Sequence, residues 1–104
     1  MELMTKELLK KLPKLGATEK LEDDQKKVVV KYFNPTGAGT WYGLEFDPVE
    51  RTFFGYAHIT DGELGYFSLD ELESVKGRFG LGIERDLYWD SNTTLKDVLE
   101  GKAR

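Results

Sequence analysis

Apolar and polar positions change period several times along this chain. Leu8, Leu9 and Leu12 fall at helical spacing behind Thr5, which is placed to cap, and Pro13 stops the pattern. Residues 16–27 mix lysines and acids without a period and read as a loop. VVVKYF (28–33) is β-branched and aromatic, a strand by propensity. Asn34-Pro35-Thr36-Gly37-Ala38-Gly39 is a turn, and TWYGLEF (40–46) then alternates. That alternation places Tyr42, Leu44 and Phe46 on one face and Trp41 with Glu45 on the other. After Asp47-Pro48, TFFGYAHI (52–59) is a third strand, and Asp61-Gly62 signals a hairpin into ELGYF (63–67).

The clearest local signal follows. Ser68-Leu69-Asp70-Glu71 matches a capping box, and Leu69, Leu72 and Val75 give the helix an apolar stripe that Gly77 is placed to end. Gly80 and Gly82 bracket a connection into IERDLYW. Thr93 or Thr94 opens a last short helix with Leu95, Val98 and Leu99 inward, closed by Gly101. The expected fold is α+β: a single domain over residues 1–104, an antiparallel meander of about four strands with short flanking helices.

Composition narrows the function classes. The 104 residues suit one modest core, and no apolar run approaches the ~18 residues of a membrane span. The N-terminal stretch lacks the apolar centre of a signal peptide. Zero Cys removes thiolate catalysis, disulfides and Cys-ligated zinc. A reducing cytoplasm fits these features. Net charge is −4, but residues 40–75 alone hold eight acids against Arg51. Such a field repels nucleic acid and attracts a basic partner; direct nucleic-acid binding is not expected. An ordinary solubilising face is the bland alternative.

Candidate chemistry is sparse. Glu84, Arg85 and Asp86 stand unbroken between Ile83 and Leu87. They read first as a structural ion pair, and second as an enzyme's acid and base, Glu84 and Asp86, with Arg85 as anchor. His58 is the only histidine, near Asp61 and Glu63, too few ligands for a metal. Asp90-Ser91-Asn92-Thr93-Thr94 imitates a calcium loop but has Leu95 at position six and Gly101 at position twelve. Gly77, Gly80 and Gly82 do not follow a strand as a phosphate loop requires. The aromatics Phe53, Phe54 and Tyr56 could stack bases, but sit within the acidic third and read as core or cross-strand pairs. No cofactor, metal site or catalytic residue is expected.

LPKL…ATE (12–19), VKYFNPTG (30–37), TWYGLEFD (40–47), FFG (53–55), ELGYFSLDEL (63–72) and GLGIERDLYW (80–89) occur in this order. Together they resemble a family of small uncharacterised proteins, a domain of unknown function of bacterial plasmids, conjugative elements and phages. One departure is Gly16, where the pattern has an aromatic. The resemblance implies a one-domain α+β protein of a mobile element and carries no catalytic residues. By analogy, the expected function is a non-catalytic protein-binding module that inhibits a host nucleic-acid-targeting defence complex, of anti-CRISPR or anti-restriction type. Its partner would be a host nuclease or RNA-guided effector, met by an acidic face of Glu45, Asp47, Glu50, Asp61 and Glu63 with Trp41 as anchor. The protein itself would be a monomer or weak dimer. The alternative is a nucleic-acid-associated accessory factor of transfer or replication, acting through the lysines of residues 6–27.

Overall fold

The computed structural model describes residues 1–103. It contains helix α1 (Lys6–Lys11), strands β1 (Val30–Phe33), β2 (Thr40–Asp47), β3 (Thr52–His58) and β4 (Gly62–Ser68), helix α2 (Leu69–Ser74), strand β5 (Glu84–Arg85) and helix α3 (Leu95–Leu99). The fold is α+β, with one five-stranded antiparallel sheet in the order β4-β3-β2-β1-β5. The expected meander is β1 to β4. The fifth strand is only two residues long and joins the far side of β1, with Tyr32 opposite Arg85 and Phe33 opposite Glu84.

Each helix starts where a hydroxyl can satisfy a free amide. Thr5 Oγ1 accepts from Leu8 N–H, Ser68 Oγ from Glu71 N–H and Thr94 Oγ1 from Asp97 N–H. The helices are short, six, six and five residues, so packing rather than propensity holds them. Leu8, Leu69, Leu72, Leu95 and Val98 are buried, whereas Leu9 and Leu99 point outward. The expected stripes are therefore narrower than drawn from spacing alone.

The sheet has a core on each side, because β2 contains a bulge. Gly43 pairs with Gly55 and Glu45 with Phe54, leaving Leu44 as the extra residue. Tyr42 and Leu44 pack with Val28, Leu95 and Val98 under α3. Past the bulge the faces invert, and Phe46 joins Phe53, Tyr32, Leu69 and Leu72 in the larger core under α1 and α2. Trp41 packs against that same larger core. The expectation that Tyr42, Leu44 and Phe46 share one face therefore fails at the bulge, and so does the pairing of Trp41 with Glu45.

The bulge also explains the glycine of Phe53-Phe54-Gly55. A Cβ at Gly55 would lie 1.9 Å from the Tyr42 carbonyl oxygen, a backbone atom that cannot swing aside. At Gly65 on the neighbouring strand a Cβ would meet nothing within 4 Å. Gly55→Ala should cost roughly 1–3 kcal/mol, the usual penalty for overpacking, while Gly65→Ala should stay within about 0.5 kcal/mol. Urea denaturation of the two variants checks this; equal losses would remove the bulge as the reason for Gly55.

Candidate functional site

Glu45, the first residue of the expected acidic face, is not on the surface. Only 3% of it is exposed. Its Oε1 accepts from Gly16 N–H at 2.7 Å, and its Oε2 accepts from Thr18 N–H at 2.9 Å and from the Thr18 hydroxyl. Burial opposes ionisation here. The Thr18 hydroxyl, the amides of Gly16 and Thr18 and the Lys26 charge outweigh it, holding the carboxyl below its usual range. Glu45 is a clamp that ties residues 16–18 to the sheet. It is unavailable to a partner.

Trp41 does not share a face with Glu45 either; through Ala57 it shares one with Glu63. Its ring lies over Gly39, whose φ of 124° the turn requires, on the side opposite Glu45 and beside Tyr32. The remaining acids divide between the two ends of the sheet. Asp47 and Glu50 flank the β2–β3 turn, and Arg51 in that turn bonds Asp70 and Glu73 of α2. Asp61 and Glu63 belong to the β3–β4 hairpin, at the other end of seven-residue strands, roughly 20 Å away. The expected single face is two clusters.

Nor is the Glu84–Arg85–Asp86 triplet one ion pair. Arg85 donates from Nε to the Glu2 carbonyl at 3.2 Å, and its backbone N–H meets Met1 Sδ. Asp86 instead approaches Lys31 Nζ at 3.7 Å and accepts from Tyr88 N–H, closing a turn. Lys31 in turn stands 5.6 Å from the Trp89 ring centre, while Trp89 Nε1 donates to the Val28 carbonyl. Arg85 thus ties the N-terminal residues to β5, and Asp86 ties the end of β5 to β1. Beside them the Tyr32 hydroxyl donates to the Leu3 carbonyl, and burial pushes its ionisation upward against the nearby Arg85 charge.

The other motifs resolve into structure. Asp90 accepts from Asn92 N–H and so builds the turn before the Thr94 cap. His58 lies 6.4 Å from Tyr56, ring centre to ring centre. Phe53 is core, whereas Phe54 and Tyr56 make cross-strand ring contacts with Tyr66 and Tyr42. Among the described residues no three His, Asp or Glu side chains gather in a group able to hold a metal.

The most exposed aromatic residues lie elsewhere, on either side of β5. Tyr88 is 97% exposed and Phe79 92%. Phe79 has φ 60° and ψ 20°, the left-handed region. A ring of backbone bonds holds it there: Gly77 N–H to Leu81 O at 2.6 Å, Gly80 N–H to Gly77 O and Leu81 N–H to Arg78 O. Close approach to the β1–β2 turn fixes the loop from behind, since a Cβ at Gly77 would fall 2.3 Å from Thr36 Oγ1. Beside it runs a groove of about 640 Å³, floored by Leu3, Leu72, Val75 and Ile83 and edged by Glu73, Lys76 and Glu84. Sequence reasoning passed over Phe79, although an aromatic residue between Gly77 and Gly80 was the available signal.

Residues 3–103 match a family described as a protein of unknown function, DUF2958. The chain belongs to the DUF2958 family. No curated protein and no solved structure matches it.

In this DUF2958 chain the Glu45 clamp has a defined pH dependence. A carboxyl held below its unfolded value contributes stability above that value and loses it as pH falls through the folded one. Glu45→Gln puts an amide N–H against a donor, and should cost about 1–3 kcal/mol at neutral pH. The gap to the parent protein should begin to narrow near pH 4, where free carboxyls protonate, and close only once pH has fallen through the lower folded value. Denaturant titrations at a series of pH values test it; a gap independent of pH would show that shape, not charge, is what Glu45 supplies.

Proposed function

We propose that this chain is a non-catalytic protein-binding module that uses Phe79 and the adjoining groove to hold another protein. One observation carries the reading. A left-handed non-glycine residue costs about 1–2 kcal/mol, yet the ring held there is almost wholly exposed. Stability gains nothing from it. Such strain concentrates at functional positions, and a protruding aromatic beside a groove with an apolar floor suits an interface anchor.

The partner's chemistry follows from the surroundings. The groove is edged by Glu73, Lys76 and Glu84; Arg51 bonds Asp70 and Glu73, which leaves Glu71 and Glu84 as the acids outside that network. An apolar pocket rimmed by Lys or Arg complements this, as on proteins that handle nucleic acid. With the mobile-element setting that the sequence resemblance implies, the proposed partner is a host nuclease or RNA-guided defence complex, and the effect is inhibition. Phe79 takes the place that Trp41 held as anchor, and Glu71 and Glu84 that of Glu45 in the expected acidic face.

Phe79→Gly separates binding from folding, because glycine adopts φ 60° freely. It should leave the melting temperature unchanged or raised, while protection of a plasmid in a host with an active defence system falls at least tenfold. Equal protection by both proteins would exclude the Phe79 site. Tight binding of bare duplex DNA with a steep salt dependence would point instead to the accessory role through the lysines of residues 6–27.

A further inference from the structure

β4 is one of the two outermost strands, and apart from the charge of Glu63 nothing in its sequence blunts its free edge. Natural sheets protect such edges with Pro, Lys, bulges or short length. Gly62–Ser68 has neither Pro nor Lys, and its register with β3 is unbroken from Thr52 opposite Ser68 to His58 opposite Gly62. Leu64 is 50% exposed and Tyr66 71%, and both share a side with Phe54 and Tyr56. This is a straight seven-residue edge with an apolar row beside it.

We propose that β4 pairs antiparallel with β4 of a second copy, joining two five-stranded sheets into one of ten. Opposed residues must point to the same side of the joined sheet, so they are of the same parity. The one such register that uses all seven residues is centred on Gly65. It sets Leu64 opposite Tyr66 of the second copy, and Tyr66 opposite Leu64, giving two apolar cross-strand pairs on one face. On the other face Glu63 meets Phe67, and Gly65 meets Gly65 where no side chain intrudes. The strand has one charge, and this register keeps it away from its own copy.

That is why the occupant is a second copy. The chain carries a net charge of −4, so self-association needs a contact where acids do not face each other. A shift that brings Glu63 opposite Glu63 sets like charges in contact and leaves four of the seven residues unpaired. A shift by two residues leaves two unpaired. The sequence Leu64-Gly65-Tyr66 is its own complement about the central glycine. The edge lies at the opposite end of the strand order from β5, beside which Phe79 stands.

The absence of cysteine makes the register directly testable. Gly65→Cys places a thiol where a Cβ meets nothing, about 4.5–5.5 Å from its counterpart. Glu63→Cys places one roughly 13 Å from its counterpart, four residues out of step. Under mild oxidation Gly65→Cys should form the covalent dimer at least tenfold faster than Glu63→Cys. Sedimentation equilibrium of the unmodified chain over a hundredfold concentration range should show a monomer–dimer equilibrium. Leu64→Lys, at an exposed position, should melt normally but weaken dimerisation at least tenfold. A monomer at every concentration, or equal oxidation rates for the two cysteine variants, overturns the proposal.

Discussion

The bulge at Leu44 is the constraint from which the rest of the structure follows. A regular β2 would give the sheet one apolar face and one wet face, as in many antiparallel sheets. The extra residue turns Leu44 and Glu45 toward α3 and Phe46 toward α1 and α2. Two small cores result, each closed by very short helices. The same displacement brings the Tyr42 carbonyl over Gly55, and it aims a carboxylate at residues 16–18, which would otherwise be an untethered loop. A chain of this length has little apolar surface to spare. It gains a second layer by one local irregularity instead of by longer helices.

Much of the fold was legible because its signals are local. Hydroxyl caps at Thr5, Ser68 and Thr94, Asp-Gly at the hairpin and aromatic alternation in β3 each act within a few residues. The bulge was not legible. It begins at the pairing of Gly43 with Gly55, two glycines twelve positions apart that meet only once the sheet has formed. Because a strand's period is two, one unforeseen residue moves every later side chain to the other face. The errors at Glu45, Trp41 and Phe46 are therefore one error, not three.

The candidate site was hidden for a different reason. Charge can be counted along a sequence, and counting it drew attention to the acids of residues 40–75. Their grouping depends on which strand ends meet, and the antiparallel order sends Asp47 and Glu50 one way and Asp61 and Glu63 the other. The Glu84–Arg85–Asp86 run misled similarly: adjacent charges on an extended chain point to alternate sides, so Arg85 reaches Glu2 while Asp86 reaches Lys31. Phe79 stands out only through backbone conformation and exposure, neither of which residue type records.

β5 has a consequence for how this molecule breathes. It is held by two residue pairs at the rim of the sheet, and the segments on both sides of it are loops. β2 and β3, by contrast, are paired on both sides and bury Phe53 completely. Opening therefore starts at β5 and carries with it what β5 secures: the first residues through Arg85 and Glu2, and the floor of the groove through Leu3 and Ile83. Amide exchange should be quickest there and slowest at the β2–β3 ladder. The groove beside Phe79 is thus built on the least stable part of the protein, where a bound partner would also lock the N-terminal segment in place.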